Sequence, residues 1–221
     1  MRGLSIALTA ILALCLGCGT TTGGGGSGSQ GPITTVDGLI KVETDARGDL
    51  YLRKDHGIGG YDAIAIAPAF VNYRRTSAKL DPDDEEVYLV SLEQSLIDIA
   101  AAANVRIVDE VGECVIKIGA GFVNIDLARS ASAKILGRMT LVIEYQDSMS
   151  GQSLLRYAAQ ESIEREAEGI SREQQIALSF DRMIEEVDMI ATLRAATRVP
   201  SPPRAGCSGM LIDAGRSTAS Q

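Results

Sequence analysis

"LDPDDEEVYLVSLEQSLIDIAAAAN", residues 80–104, decides the fold, because it reads as one amphipathic helix set between strand-like segments. Asp81 fits an N-cap and Pro82 the first helical position, where a missing N–H costs nothing. Asp83 to Glu86 put negative charge at the positive end of the helix dipole. Leu89, Leu92, Leu96, Ile99 and Ala103 recur at three- and four-residue steps and predict one buried stripe. Asn104 suits the left-handed residue that ends a helix.

Upstream, "YDAIAIAPAFVNY", residues 61–73, is apolar on both parities, as a strand covered on both faces would be; Pro68 marks where pairing ends or bends. Before it, "VDGLIKVETDARGDLYLRK", residues 36–54, has two alternating runs around a polar turn and predicts a hairpin or peripheral arm. Downstream, "VRIVDEV" (105–111) and "CVIKIGAGFVNIDL" (114–127) read as strands. In the second, Ile116, Ile118, Ala120 and Phe122 share one parity and Val123, Ile125 and Leu127 the other, so a bulge is predicted beside Gly121.

After the polar connection "ARSASAK" comes "RMTLVIEYQDSMSGQSLLRYAAQESI", residues 138–163. Met139, Leu141, Ile143 and Tyr145 alternate with more polar residues, Gly151 reverses the chain, and Leu155, Tyr157 and Ala159 return as a hairpin. Ser171 and Gln174 form a capping box for a last helix, with its stripe at Ile176, Phe180, Met183, Val187 and Ile190, running to about Arg198. Pro200, Pro202 and Pro203 stop it, and the Gly/Ser/Pro-rich tail, 199–221, reads as disordered. The order of elements predicts a two-layer α+β domain over residues 36–198. It has a mixed or antiparallel sheet of four to five strands with two helices packed on one face.

The N-terminus carries an address. Met1 and Arg2 precede an apolar run, Leu4 to Leu16, of signal-peptide length and too short to span a bilayer as a helix. Leu16, Gly17 and Cys18 resemble a bacterial lipobox, so residues 1–17 read as a signal peptide and Cys18 as the lipidated first residue of the mature chain. Cys15 is a poorer candidate because Leu14 is large. The Gly/Ser/Thr-rich stretch 18–35 is then a flexible tether, with an expected span of roughly 20 Å. Gly19 follows the anchor where an aspartate would signal inner-membrane retention in enteric-type bacteria. The resemblance therefore implies a periplasm-facing location on the outer membrane.

Charge and composition exclude several functions. With 21 Lys and Arg against 29 Asp and Glu the net charge is −8. Without residues 1–17, which contain Arg2 as their one charged side chain, 20 basic face 29 acidic groups, a net of −9. Such a chain gains nothing from phosphate neutralisation, so nucleic acid is not an expected partner. With no Trp and three Phe the core is expected to be aliphatic.

Two cysteines follow the anchor. A Cys114–Cys207 bridge would close a loop of roughly 100 residues, worth up to about 4.7 kcal/mol in the chain-entropy model, and an oxidising periplasm permits it. Because Cys207 sits in the disordered-looking tail, the expectation is a buried Cys114 and a free tail thiol, with the bridge as the alternative.

No catalytic set emerges. His56 is the single histidine and reads as a solvent-facing loop residue; with Asp55 and a serine it would need a GxSxG elbow that the chain lacks. "GAGFVN" has Asn124 where a dinucleotide loop needs glycine. "DPDDEE" lacks EF-hand spacing, and Glu161, Glu164, Glu166 and Glu168 read as a solvated run. No catalytic residue, cofactor or metal is expected.

In order, the lipobox, "YDAIAIAPAFV", "VYLVSLEQSLIDIA", "VRIVDEVGECVIKIGAGFVNIDLA" and "GRMTLVIEYQDSMSGQSLLRYAAQ" resemble the bacterial lipoprotein family called domain of unknown function 3313, over Val36 to Arg198. The resemblance implies a Gram-negative envelope lipoprotein without an assigned activity and supplies no site residues beyond Cys18. The leading expectation is a non-catalytic scaffold or binding module held at a membrane by its lipid and engaging an envelope protein. The candidate contact surfaces are the loop Gly57 to Gly60 and an exposed sheet face or edge. The second is a tethered carrier of a small apolar ligand between helices and sheet, and the third a hydrolytic enzyme.

Overall fold

A computed structural model describes residues 33–44, 47–130, 132–165 and 169–211. Cys18 and the signal peptide lie outside them, as do most of the tether, Glu166, Glu168 and residues 212–221. The elements run β1 (Ile40–Val42), β2 (Asp49–Leu52), β3 (Ala63–Ile66), β4 (Phe70–Tyr73), α1 (Pro82–Ala102), β5 (Val115–Leu127), β6 (Ile135–Asp147), β7 (Ser153–Glu164), α2 (Arg172–Glu185) and α3 (Met189–Thr197).

All seven strands join one mixed sheet in the order β1-β2-β7-β6-β5-β3, with β4 also on β5. The α+β class and the hairpins match expectation, while the strand count exceeds it for two local reasons. The 36–54 segment forms the expected hairpin, β1 against β2, and it also joins the sheet margin, where Leu50 pairs with Tyr157 and Leu52 with Leu155. Pro68 splits the 61–73 run into two short strands, both parallel to β5, opposite Val115–Ile118 and Gly121–Ile125. A parallel pair needs a crossover, and α1 supplies the one between β4 and β5. The "VRIVDEV" segment forms one bridge, Ile107 to Ile64, rather than a strand.

Helix α1 starts as its sequence requires, with the Asp81 carboxylate accepting the Asp83 N–H at 3.0 Å and Asn104 at φ 55° beyond its end. Its buried stripe is Tyr88, Leu92, Leu96 and Ala100, one position off the predicted line at Leu89 and Ile99. The last helix is two helices. The capping box of Ser171 and Gln174 opens α2. The chain then breaks at Val187, and the Asp188 carboxylate accepts the Ala191 N–H at 2.7 Å to start α3. The predicted stripe survives the break, since Ile176, Phe180, Met183, Val187 and Ile190 are all buried.

The core lies between the helices and one face of the sheet. Along β5, β6 and β7 the rows Phe122–Leu141–Ala159, Ala120–Ile143–Tyr157 and Ile118–Tyr145–Leu155 face the helical layer. Phe180 of α2 stands edge-on to Phe122 at 4.6 Å and stacks on Tyr88 at 4.5 Å, joining sheet, α1 and α2. The Tyr145 hydroxyl donates to the Met189 carbonyl at 3.2 Å and ties in α3. Three helices, not two, thus cover this face among the described residues, and apolar side chains fill the centre of the helix–sheet interface. The predicted bulge occurs later than Gly121: register shifts between Val123 and Asp126, where Asn124 sits at φ 54°.

The expected disordered tail is ordered over residues 199–211, which form a strap across the body. A disulfide joins Cys207 to Cys114, 93 residues apart, so the free-thiol expectation is replaced by the bridge. Leu211 is buried, and its N–H donates to the Tyr61 carbonyl at 3.1 Å. At the other end, tether residues 33–35 already pair: Thr34 bridges Ile40, and Thr35 exchanges bonds with Leu39.

Candidate interaction surface

The alternate residues of β5, β6 and β7 point away from the helices. In register they form the rows Gly119–Glu144–Arg156, Gly121–Val142–Ala158 and Val123–Thr140–Gln160. Gln160 is exposed and the others are half-buried, apart from Gly121, which Phe70 covers, and no helix layer lies over them among the described residues. The face is small and apolar along its middle row and polar on both sides. Arg156 is paired there with Glu144 at 2.9 Å and Asp37 at 2.6 Å. Near the Asn124 bulge it sinks into a concavity of about 370 Å³ lined by Arg74, Asn124, Arg138, Thr140, Gln160 and Ser162. The exposed sheet face foreseen from sequence is therefore present and is broad.

The other foreseen surface is not available. Gly57 to Gly60 belong to a 3-10 turn, Ile58–Gly60, that the strap covers. A Cβ on Gly60 would stand 2.4 Å from the Arg204 nitrogen, so glycine is required for the strap to lie this close. Under the strap, Asp147 is 2 % exposed and forms an ion pair with Arg204. It accepts the Tyr61 hydroxyl at 2.8 Å and the Ser150 N–H and hydroxyl at 2.8 Å each. Burial opposes its ionisation, but these donors outweigh burial and hold its carboxyl below the ordinary range. Burial and the neighbouring Asp147 push the Tyr61 phenol up to about 12. Asp62 fastens the strap's far end by accepting the Ser208 hydroxyl at 2.7 Å and the Gly209 N–H at 2.7 Å.

His56 is no solvent-facing residue: it is 3 % exposed. The Ile58 N–H donates to Nδ1 at 3.1 Å, so Nε2 carries the proton and faces the Val199 carbonyl at 3.2 Å. Burial lowers its pKa from 6.5. Both ring nitrogens are spent on backbone, which leaves the imidazole no proton to move for a substrate. Glu161 also departs from the solvated run, being 8 % exposed and bound to Arg47 at 2.5 Å and Arg182 at 3.2 Å, while Glu164 is exposed as expected.

Asp62, Cys114 and Cys207 bring three ligand-type atoms together, but both sulfurs are consumed in the disulfide and offer no thiolate to a metal. A separate pocket of about 440 Å³ opens on the covered side at the sheet margin, between β2, β7 and α3. Among the described residues no helix is long and apolar enough to cross a membrane.

No family model matches the chain, and no curated protein is matched by its sequence. Solved structures similar to it include the PelC dodecamer from Paraburkholderia phytofirmans, at 13 % identity over 63 % of this chain and 96 % of that one, TM-score 0.34. A minor lipoprotein from Acinetobacter baumannii is similar at 13 % identity over 62 % of this chain and 94 % of that one, TM-score 0.34. Likeness at these scores is loose, and the functional reading rests on this chain's own residues.

Proposed function

We propose that the protein is a non-catalytic envelope lipoprotein, held at the outer membrane through Cys18, whose open sheet face engages a protein partner. The observation that carries the reading is the one-sided sheet: three helices cover one face, while β5, β6 and β7 present the other to solvent. Such a face offers a rigid platform with small residues at Gly119 and Ala158 and a polar concavity at the bulge. A partner of similar size to this domain would bury about 800 Å² on each side, an area that a face three long strands wide can supply. The exhausted hydrogen bonding of His56 and the consumed cysteines favour binding over hydrolysis.

Two measurements test the reading. Cys18→Ser moves the protein from the membrane to the soluble fraction; a variant that remains membrane-bound contradicts the anchor. A tagged chain carrying Thr140→Arg and Gln160→Glu loses its co-purifying envelope protein while its thermal unfolding stays near wild type. Retention of the same partner by that variant contradicts the role of the face.

A further inference from the structure

The margin pocket between β2, β7 and α3 is independent of the open face and has a chemistry of its own. Its wall is apolar: Leu50 and the Tyr157 ring, neighbours in register across β2 and β7, face Ala191 and Ala195 of α3. Its volume, about 440 Å³, is that of a small-molecule site. The pocket exists because the helical layer ends at α3 before reaching the sheet margin, and two alanines at the contact leave the gap unfilled.

Charges on the rim are unequal in their freedom. Arg47 is committed to two carboxylates, Glu186 and Glu161. The Asp188 carboxylate caps Ala191. Arg198, at the end of α3, is exposed and its guanidinium has no carboxylate partner among the described residues. The Tyr157 ring lies against Gly48, and its hydroxyl has no side-chain acceptor among the described residues, which leaves its O–H to donate. The donors left to bind a ligand are Arg198 and the Tyr157 O–H, one of them cationic, and both border an apolar wall, while Asp188 keeps one oxygen on its cap.

We propose that this pocket binds a single-chain amphiphile with an anionic head, the head on Arg198 and Tyr157 and the first methylenes along Leu50, Ala191 and Ala195. A guanidinium recognises carboxylate and phosphate alike, so both fatty acids and phosphate-headed lipids fit the site. The proposal uses neither the anchor nor the sheet face, and its failure leaves the proposed function standing.

The test uses the full chain carrying Cys18→Ser, purified without detergent, with dodecanoate, dodecyl phosphate and dodecyltrimethylammonium as probes below their aggregation concentrations. Titration followed by amide NMR shows saturable one-site binding of an anionic probe, with shifts centred on residues 191–198. Binding of dodecanoate alone identifies a fatty acid head, and of dodecyl phosphate alone a phosphate head. Arg198→Gln weakens binding roughly tenfold, as expected for a lost charge-assisted hydrogen bond. Ala191→Phe, which fills the exposed mouth, abolishes binding while the unfolding midpoint is unchanged, and Gln160→Glu leaves binding intact. Cationic probe binding as tight as the anionic ones, absence of saturable binding, or affinity unaffected by both pocket variants overturns the proposal.

Discussion

The two faces of β5, β6 and β7 are built from the same strands by alternate residues, yet they do different work. On one face Phe122, Leu141, Ile143 and Tyr145 are no more than 2 % exposed beneath three helices. On the other, one residue along each strand, Val123 and Thr140 are half-buried and Gln160 is exposed. Stability is concentrated on the first face, which leaves the second free to vary in chemistry without endangering the fold. That separation is what a binding module requires, because a partner can meet a surface whose residues the core does not need.

The comparison is sharpest where burial is complete. Phe180→Ala removes the ring that joins Phe122 and Tyr88, and a destabilisation of about 3–5 kcal/mol is expected by urea unfolding. A loss below about 1 kcal/mol would mean that the helical layer is not packed as described. Replacing Cys114 and Cys207 together by serine frees the strap and lowers stability by roughly 2–4 kcal/mol, read as a fall in unfolding midpoint under non-reducing conditions. An unchanged midpoint would show that the strap adds nothing.

Smaller effects follow from local chemistry. Ser171→Ala removes half of the α2 capping box and should cost about 1 kcal/mol, checked by the same unfolding curve. Acid sensitivity has a defined sign at His56. Its folded pKa lies below the ordinary 6.5, so the unfolded chain binds the proton more readily. Its contribution is complete above about pH 6.5 and is lost as the pH falls toward the depressed folded value. A flatter stability profile between pH 7 and 5 is expected for His56→Gln than for wild type, and parallel profiles would assign the loss elsewhere. The smallest effect belongs to the open face, where Gln160→Ala should change stability by less than about 0.5 kcal/mol.

The elements defined by local chemistry were legible in the sequence. Asp81, Pro82 and Asn104 bounded α1, Gly151 at φ 70° closed the β6–β7 hairpin, and the Ser171 box started α2. The open sheet face followed from the alternation of apolar and polar residues in the same hairpin. What escaped was fixed by contacts between distant residues. The strap looks disordered because Pro, Gly and Ser dominate it, while its fastenings, Arg204 to Asp147, Cys207 to Cys114 and Ser208 to Asp62, span 57 to 146 residues. His56 changes from a loop residue to a buried one only because the strap brings Val199 over it. The break between α2 and α3 was hidden because the apolar period runs through it. Asp188, three residues before the amide it caps, was the readable signal. The margin pocket depends on β2 joining β7, a pairing that no local pattern encodes.

Site-specific photo-crosslinking in intact cells tests the central claim most directly. One variant carries the photoreactive residue at Gln160 on the open face, and another at Gln94 on the exposed side of α1. One discrete crosslinked envelope protein is expected from Gln160 and none from Gln94. Equal products from both positions, or a product from Gln94 alone, would contradict it.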